Sequence, residues 1–139
     1  SVDPALSTRS SAARAAVTGQ TPQRWIAHHL LPFAVIAALP RAAQLAMVRA
    51  GFRMDSPANV MPLPADLPSY RSGATGPVHS GSHAAYSSDV AFLLAPVLAG
   101  SAAALGASIA ALQMQLRGML MNPAQVSLTR PVQYHVRLR

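Results

Sequence analysis

The sequence contains no cysteine, no lysine and no glutamate. Without cysteine there are no disulfides, no iron–sulfur or thiolate zinc ligation and no thiol nucleophile. Without glutamate, and with only four scattered aspartates, no pair of carboxylates is visible for acid–base work. Charged residues make up 11% of the chain and aromatics 5%, whereas a soluble domain carries about 25% charged residues. That scarcity argues against a free-standing water-soluble globule. Apolar residues at 51% argue equally against an ordinary disordered tail. P-loop, GxGxxG, HExxH and GxSxG patterns are all absent.

Alanine dominates what is there: 28 of 139 residues, with 12 prolines, 8 glycines and 11 basic residues that are all arginine. The formal net charge is +7. Few large side chains are available to fill a core of the chain's own. The composition therefore predicts a polypeptide held by lipid or by a larger assembly, and not stable alone.

Residues 1–24 are rich in Ser, Ala and Arg, with Asp3 the lone acid. That is the composition of an organellar transit peptide, and an extended arm is expected there. Residues 25–53 begin with the apolar block WIAHHLLPFAVIAALP and continue as RAAQLAMVRAGFRM, in which Arg41, Gln44, Arg49 and Arg53 recur at helical spacing. The pattern predicts a short, Pro-interrupted apolar helical segment over about 23–53 that becomes a basic amphipathic helix on an anionic membrane surface. A second span is the alternative if this helix runs to Val48, at about 2.5–3.5 kcal/mol for placing Arg41 in lipid. Residues 54–89 read as a Pro/Gly-rich linker.

The strongest signal lies in residues 90–121. No charge occurs from Val90 to Leu116, a run of 27 residues. About 20 helical residues already cross a hydrocarbon core about 30 Å thick. An all-α membrane fold is predicted, with one transmembrane helix over about 90–116. Gly100, Ala104 and Ser108 follow at four-residue steps, Ala99, Ala103, Ala107 and Ala111 make a second small stripe, and Gly106 with Ala110 makes a third pair. Such residues let helix backbones approach closely in lipid, so they are the expected helix-packing interface. Trp25, Arg41, Arg49, Arg53 and Arg117 are the expected lipid head-group contacts, with cardiolipin or another phospholipid as the bound lipid. Residues 122–139 form a basic tail ending in QYHVRLR, which alternates like a short strand that adds to a partner's sheet edge.

From Arg117 onward there are four arginines and no acid, against Arg71 with Asp55, Asp66 and Asp89 in residues 54–89. The positive-inside rule then puts the C-terminus on the matrix side of a mitochondrial inner membrane, or on the equivalent side of a plastid membrane. The histidines yield no catalytic or metal assignment. His79 and His83, in HSGSH, have no third ligand nearby. His28 and His29 sit beside Trp25 as interface residues, or as haem ligands that lack a second ligand in the last span. No run of basic residues and too few aromatics for stacking argue against nucleic acid as a partner.

These readings converge on a non-catalytic accessory subunit of an organellar inner-membrane complex, of the respiratory chain or the ATP synthase. Its partners would be other subunits and lipid, with no cofactor, and its role assembly and stability. Two alternatives stand beside it: an organellar ribosomal or RNA-associated protein, and a small membrane cytochrome or enzyme using His28 and His29.

Overall fold

Proline decides where the first helices can start. Pro32 and Pro40 each restrict the residue before them to extended backbone. Both sit at helix N-caps, with ψ of 149° and 148°. The apolar block therefore cannot form one helix. It opens instead as strand β1, Trp25–His29, followed by two short helices, α2 (Phe33–Ala37) and α3 (Arg41–Arg49). Gln44 closes α2 by donating from Nε2 to the carbonyls of Ile36 (3.0 Å) and Leu39 (3.2 Å) at its C-terminal end, where the helix leaves carbonyls to be capped.

The computed structural model describes residues 3–8, 10–16, 25–64 and 84–121. Before β1 come a 3-10 turn, Pro4–Leu6, and helix α1, Ser10–Ala15. After α3 the chain turns back into strand β2, Val60–Pro64, which pairs antiparallel with β1 from Trp25↔Pro64 to His29↔Val60. Helix α4 (Ala84–Ala99), a 3-10 turn (Ala102–Ala104) and helix α5 (Leu105–Met121) complete the described chain.

The two long helices pack against each other. Ser101 separates them: its backbone is extended (φ −70°, ψ 147°), and its side chain accepts from the Ala104 amide at 3.2 Å. One face of each helix is buried. On α4 it carries Tyr86, Val90 and Leu94, and on α5 Leu105, Ile109, Leu112, Leu116 and Leu120. These stripes close over Leu30, Leu31, Ile36, Met47, Met54 and Leu63 in one core. The Tyr86 hydroxyl donates to the Leu30 carbonyl at 2.7 Å, fastening α4 to the end of β1. The opposite faces of α4 and α5 expose Ala91, Ala95, Ala110 and Ala111. Phe92 and Met114 also stand exposed on these helices, but most of the outer positions are small, so the uncharged run divides between two helices that each bury one stripe.

The expected transmembrane helix over about 90–116 is thus overturned. The run is divided between helices of 16 and 17 residues, and no helix among the described residues is long and apolar enough to cross a membrane. The all-α membrane class is replaced by an α/β domain with a two-stranded sheet. The helical segment expected over about 23–53, with its alternative second span, is corrected likewise: it contains β1 and two helices of 5 and 9 residues. The bulk of the expected linker, 65–83, and the tail 122–139 with its strand-like end lie outside the described residues.

The expected helix-packing residues fall in different surroundings. A Cβ on Gly106 would lie 3.0 Å from the Ala50 carbonyl oxygen, so this glycine lets α5 approach the turn after α3 within the same chain. A Cβ on Gly100 would meet the Val97 carbonyl at 3.4 Å, an ordinary contact. Ala103, Ala104, Ala107 and Ala111 are exposed, and Ser108 is half-buried.

Gly106→Leu should therefore lower unfolding stability by about 1–3 kcal/mol through overpacking. Gly118→Ala, with nothing within 4 Å of its Cβ, should raise it by about 0.5–1 kcal/mol through helix propensity. Tyr86→Phe should cost about 1–2 kcal/mol by leaving the Leu30 carbonyl without that donor. Denaturant midpoints read all three.

Candidate active site

A strand points successive side chains to opposite faces. On β1 this sends His28 and His29 in opposite directions. His28 enters the main core, fully buried, with its ring edge-on to Tyr86 at 4.8 Å between centroids and 71° between planes. Burial pushes the Tyr86 hydroxyl well above its ordinary pKa, so it stays a neutral donor to Leu30.

His29 faces the other way, toward the N-terminal segment. Its Nε2 lies 2.7 Å from Asp55 Oδ1, with the two side chains 18% and 15% exposed. Thr8 completes the cluster: its hydroxyl donates to the same Oδ1 at 2.7 Å and lies 3.1 Å from His29 Nε2. A carboxylate can only accept, so the short contact puts a proton on Nε2. In the neutral imidazole, Nδ1 is then the basic nitrogen.

Asp55 stands in the turn between α3 and β2, beyond the last ladder pair, His29↔Val60. Fully buried Asn59 ties this turn to the end of β1. Its Oδ1 accepts from the Leu31 amide (3.0 Å), and its Nδ2 donates to the carbonyls of Leu31 (3.2 Å) and Met54 (2.9 Å). Backbone bonds reinforce the tie, from Leu30 N–H to Asn59 C=O (2.7 Å) and from Asn59 N–H to Ser56 C=O (2.9 Å). From α5, Gln113 Nε2 donates to Asn59 Oδ1 at 3.2 Å, and Arg117 Nη2 donates to the carbonyls of Pro57 (3.1 Å) and Val60 (3.4 Å).

Two open clefts adjoin the cluster. One, of about 300 Å³, is lined by Thr8, Ala13, Arg14, Ile26, Ala27 and His29. The other, of about 480 Å³, includes Ser7, Arg53, Asp55 and Ser56. Each brings one exposed arginine to the site. The Arg14 guanidinium lies over the Trp25 ring at 4.0 Å and donates to the Trp25 carbonyl at 3.3 Å. The result is a basic imidazole oriented by a carboxylate, between two cationic clefts, which suits proton abstraction next to an anionic substrate.

The residues expected at lipid head groups are dispersed. Trp25 lies under Arg14, Arg41 and Arg49 sit exposed at the two ends of α3, Arg53 lines a cleft, and Arg117 is tied to the turn. Asn59, Gln113 and Thr8 carried no signal in the sequence, and Asp55 counted there only as one of the acids of residues 54–89. His79 and His83 lie outside the described residues, and among the described residues no group of three or more His, Cys, Asp or Glu gathers.

No curated protein and no solved structure shows significant similarity to the chain. A profile of the AHH family, described as a nuclease family of the HNH/ENDO VII superfamily with conserved AHH, matches residues 10–101. The tripeptide Ala27-His28-His29 supplies that motif, on β1. The match overturns several expectations. A non-catalytic accessory subunit of the respiratory chain or ATP synthase gives way to a nuclease-family domain, which points to an enzyme. The alternatives change with it: the organellar ribosomal or RNA-associated protein gives way, and the small membrane cytochrome or enzyme using His28 and His29 loses its membrane setting. Exclusion of nucleic acid, with membrane subunits and lipid as partners, gives way to nucleic acid as the family's substrate. Integral placement in a mitochondrial inner or plastid membrane loses its basis, because no helix among the described residues is long and apolar enough to cross one. With well over half of its length matched and the defining tripeptide in place, the chain belongs to the AHH nuclease family of the HNH/ENDO VII superfamily.

Proposed function

We propose that this chain hydrolyses phosphodiester bonds in nucleic acid, with His29 as general base. The observation that carries this reading is the His29–Asp55 pair, 2.7 Å apart at the end of the AHH strand. Asp55 holds the imidazole with Nε2 protonated. Nδ1 then takes a proton from the attacking water as its oxygen bonds to phosphorus and the bond to the leaving ester oxygen breaks. The leaving oxygen takes up a proton from solvent as it departs. Arg14 and Arg53 meet the phosphate charge from the two clefts, through the multiple donors of their guanidinium groups. The net charge of +7 favours encounter with a polyanion.

Divalent ions serve many nucleases as Lewis acids, and imidazole and carboxylate are donors that such ions take. His28, His29 and Asp55 are donors of these kinds, but they do not form a gathered set among the described residues.

Purified full chain should cleave plasmid DNA or a labelled RNA when assayed with and without added Mg²⁺, Mn²⁺ or Zn²⁺. His29→Ala should lower kcat about 10²–10⁴-fold, with the circular dichroism spectrum unchanged. A His29→Ala protein that cleaves at the parent rate would overturn the assignment. Asp55→Asn should lower kcat about 10²-fold or more, because the amide can donate as well as accept and no longer fixes the imidazole tautomer. Arg14→Gln and Arg53→Gln should instead raise KM, and raise it less at high salt.

A further inference from the structure

Helix α5 lies wholly beyond the matched segment, 10–101, yet two of its side chains reach the turn that carries Asp55. We infer that Gln113 and Arg117 are positioning residues for the His29–Asp55 pair, acting through Asn59 and the turn around it. The inference rests on His29 and Asp55 having the roles proposed above.

Gln113 is out of place as a packing residue. It is 6% exposed and stands in the buried stripe of α5 beside Ile109, Leu112 and Leu116. Packing there would be served by another leucine, and a buried amide is costly unless bonded. Its Nε2 donates to Asn59 Oδ1 (3.2 Å), the atom that also accepts from the Leu31 amide. With Nδ2 donating to the Leu31 and Met54 carbonyls, all four bonding positions of the Asn59 amide are filled. That leaves one orientation of this side chain, because a flip would turn donors onto donors. Asn59 so held joins Leu31, two residues after His29, to Met54, the residue before Asp55.

Arg117 is one helical turn further along the same face. Its Nη2 donates to the carbonyls of Pro57 and Val60, on either side of Asn59. Together the two side chains hold the turn from two points on one rigid helix. The separation of His29 and Asp55 is thereby set by α5 as well as by the strand ladder.

The test is a double-mutant cycle on kcat and KM with the full chain and a labelled DNA duplex. Gln113→Met keeps length and removes the donor without burying a charge. Its expected effect is a loss of kcat of about ten- to a hundredfold, the scale of a small misplacement of catalytic groups, with KM within about twofold. In the Asp55→Asn background the same change should alter kcat less than about twofold, since groups acting through one another do not add. Equal losses in both backgrounds, or no loss in the parent, would overturn the inference. Should Gln113→Met not fold, Arg117→Met is judged by the same background dependence. Failure of the proposed function is distinguishable: there, Asp55→Asn itself leaves kcat unchanged.

Discussion

A strand turns neighbouring side chains to opposite faces, and five residues of strand suffice to send two adjacent histidines into different chemistry. His28 goes into the core beside Tyr86, where no solvent reaches it. His29 goes to the face covered by α1 and the N-terminal turn, where Asp55 and Thr8 meet its Nε2. A shift of one residue in register would exchange these environments. The pairing of His29 with Val60 and His28 with Met61, and the cap that Asn59 makes at the end of the ladder, fix that register.

Around this strand the molecule is arranged as support. Tyr86 binds α4 to Leu30, just past the histidines. Asn59 binds the Asp55 turn to Leu31, and α5 binds that turn from outside through Gln113 and Arg117. The helical hairpin that supplies most of the buried leucines is thus also the frame against which His29 and Asp55 are aligned. Packing and site geometry share one set of elements, so variants of Gln113 or Tyr86 touch both.

The sequence made some of this visible and hid the rest for definable reasons. The uncharged run from Val90 to Leu116 shows that residues here avoid charge, but hydropathy counts an exposed alanine as it counts a buried leucine. The Gly100-Ser101 break therefore vanished beneath the length of the run. The stripe of Leu105, Ile109, Leu112, Leu116 and Leu120 was there to find, with Gln113 as its polar interruption. Strand β1 was harder to see. Its partner VMPLP begins 31 residues beyond His29 and contains two prolines, and neither segment alternates cleanly. Asp55 acquires meaning only when the turn before β2 returns it to His29, 26 positions away in sequence. The tripeptide Ala27-His28-His29 was legible as letters. Without a strand to separate its histidines, it read as an interface pair.

The central claim is that Asp55 holds His29 with its proton on Nε2, leaving Nδ1 as the base. Long-range ¹H–¹⁵N correlation spectra of the histidine rings test it most directly, recorded above the ordinary histidine pKa of about 6.5. They should show His29 as the Nε2–H tautomer in the parent chain, and a mixture in Asp55→Asn. A parent His29 found as the Nδ1–H tautomer, or unaltered by loss of the Asp55 carboxylate, would contradict the account.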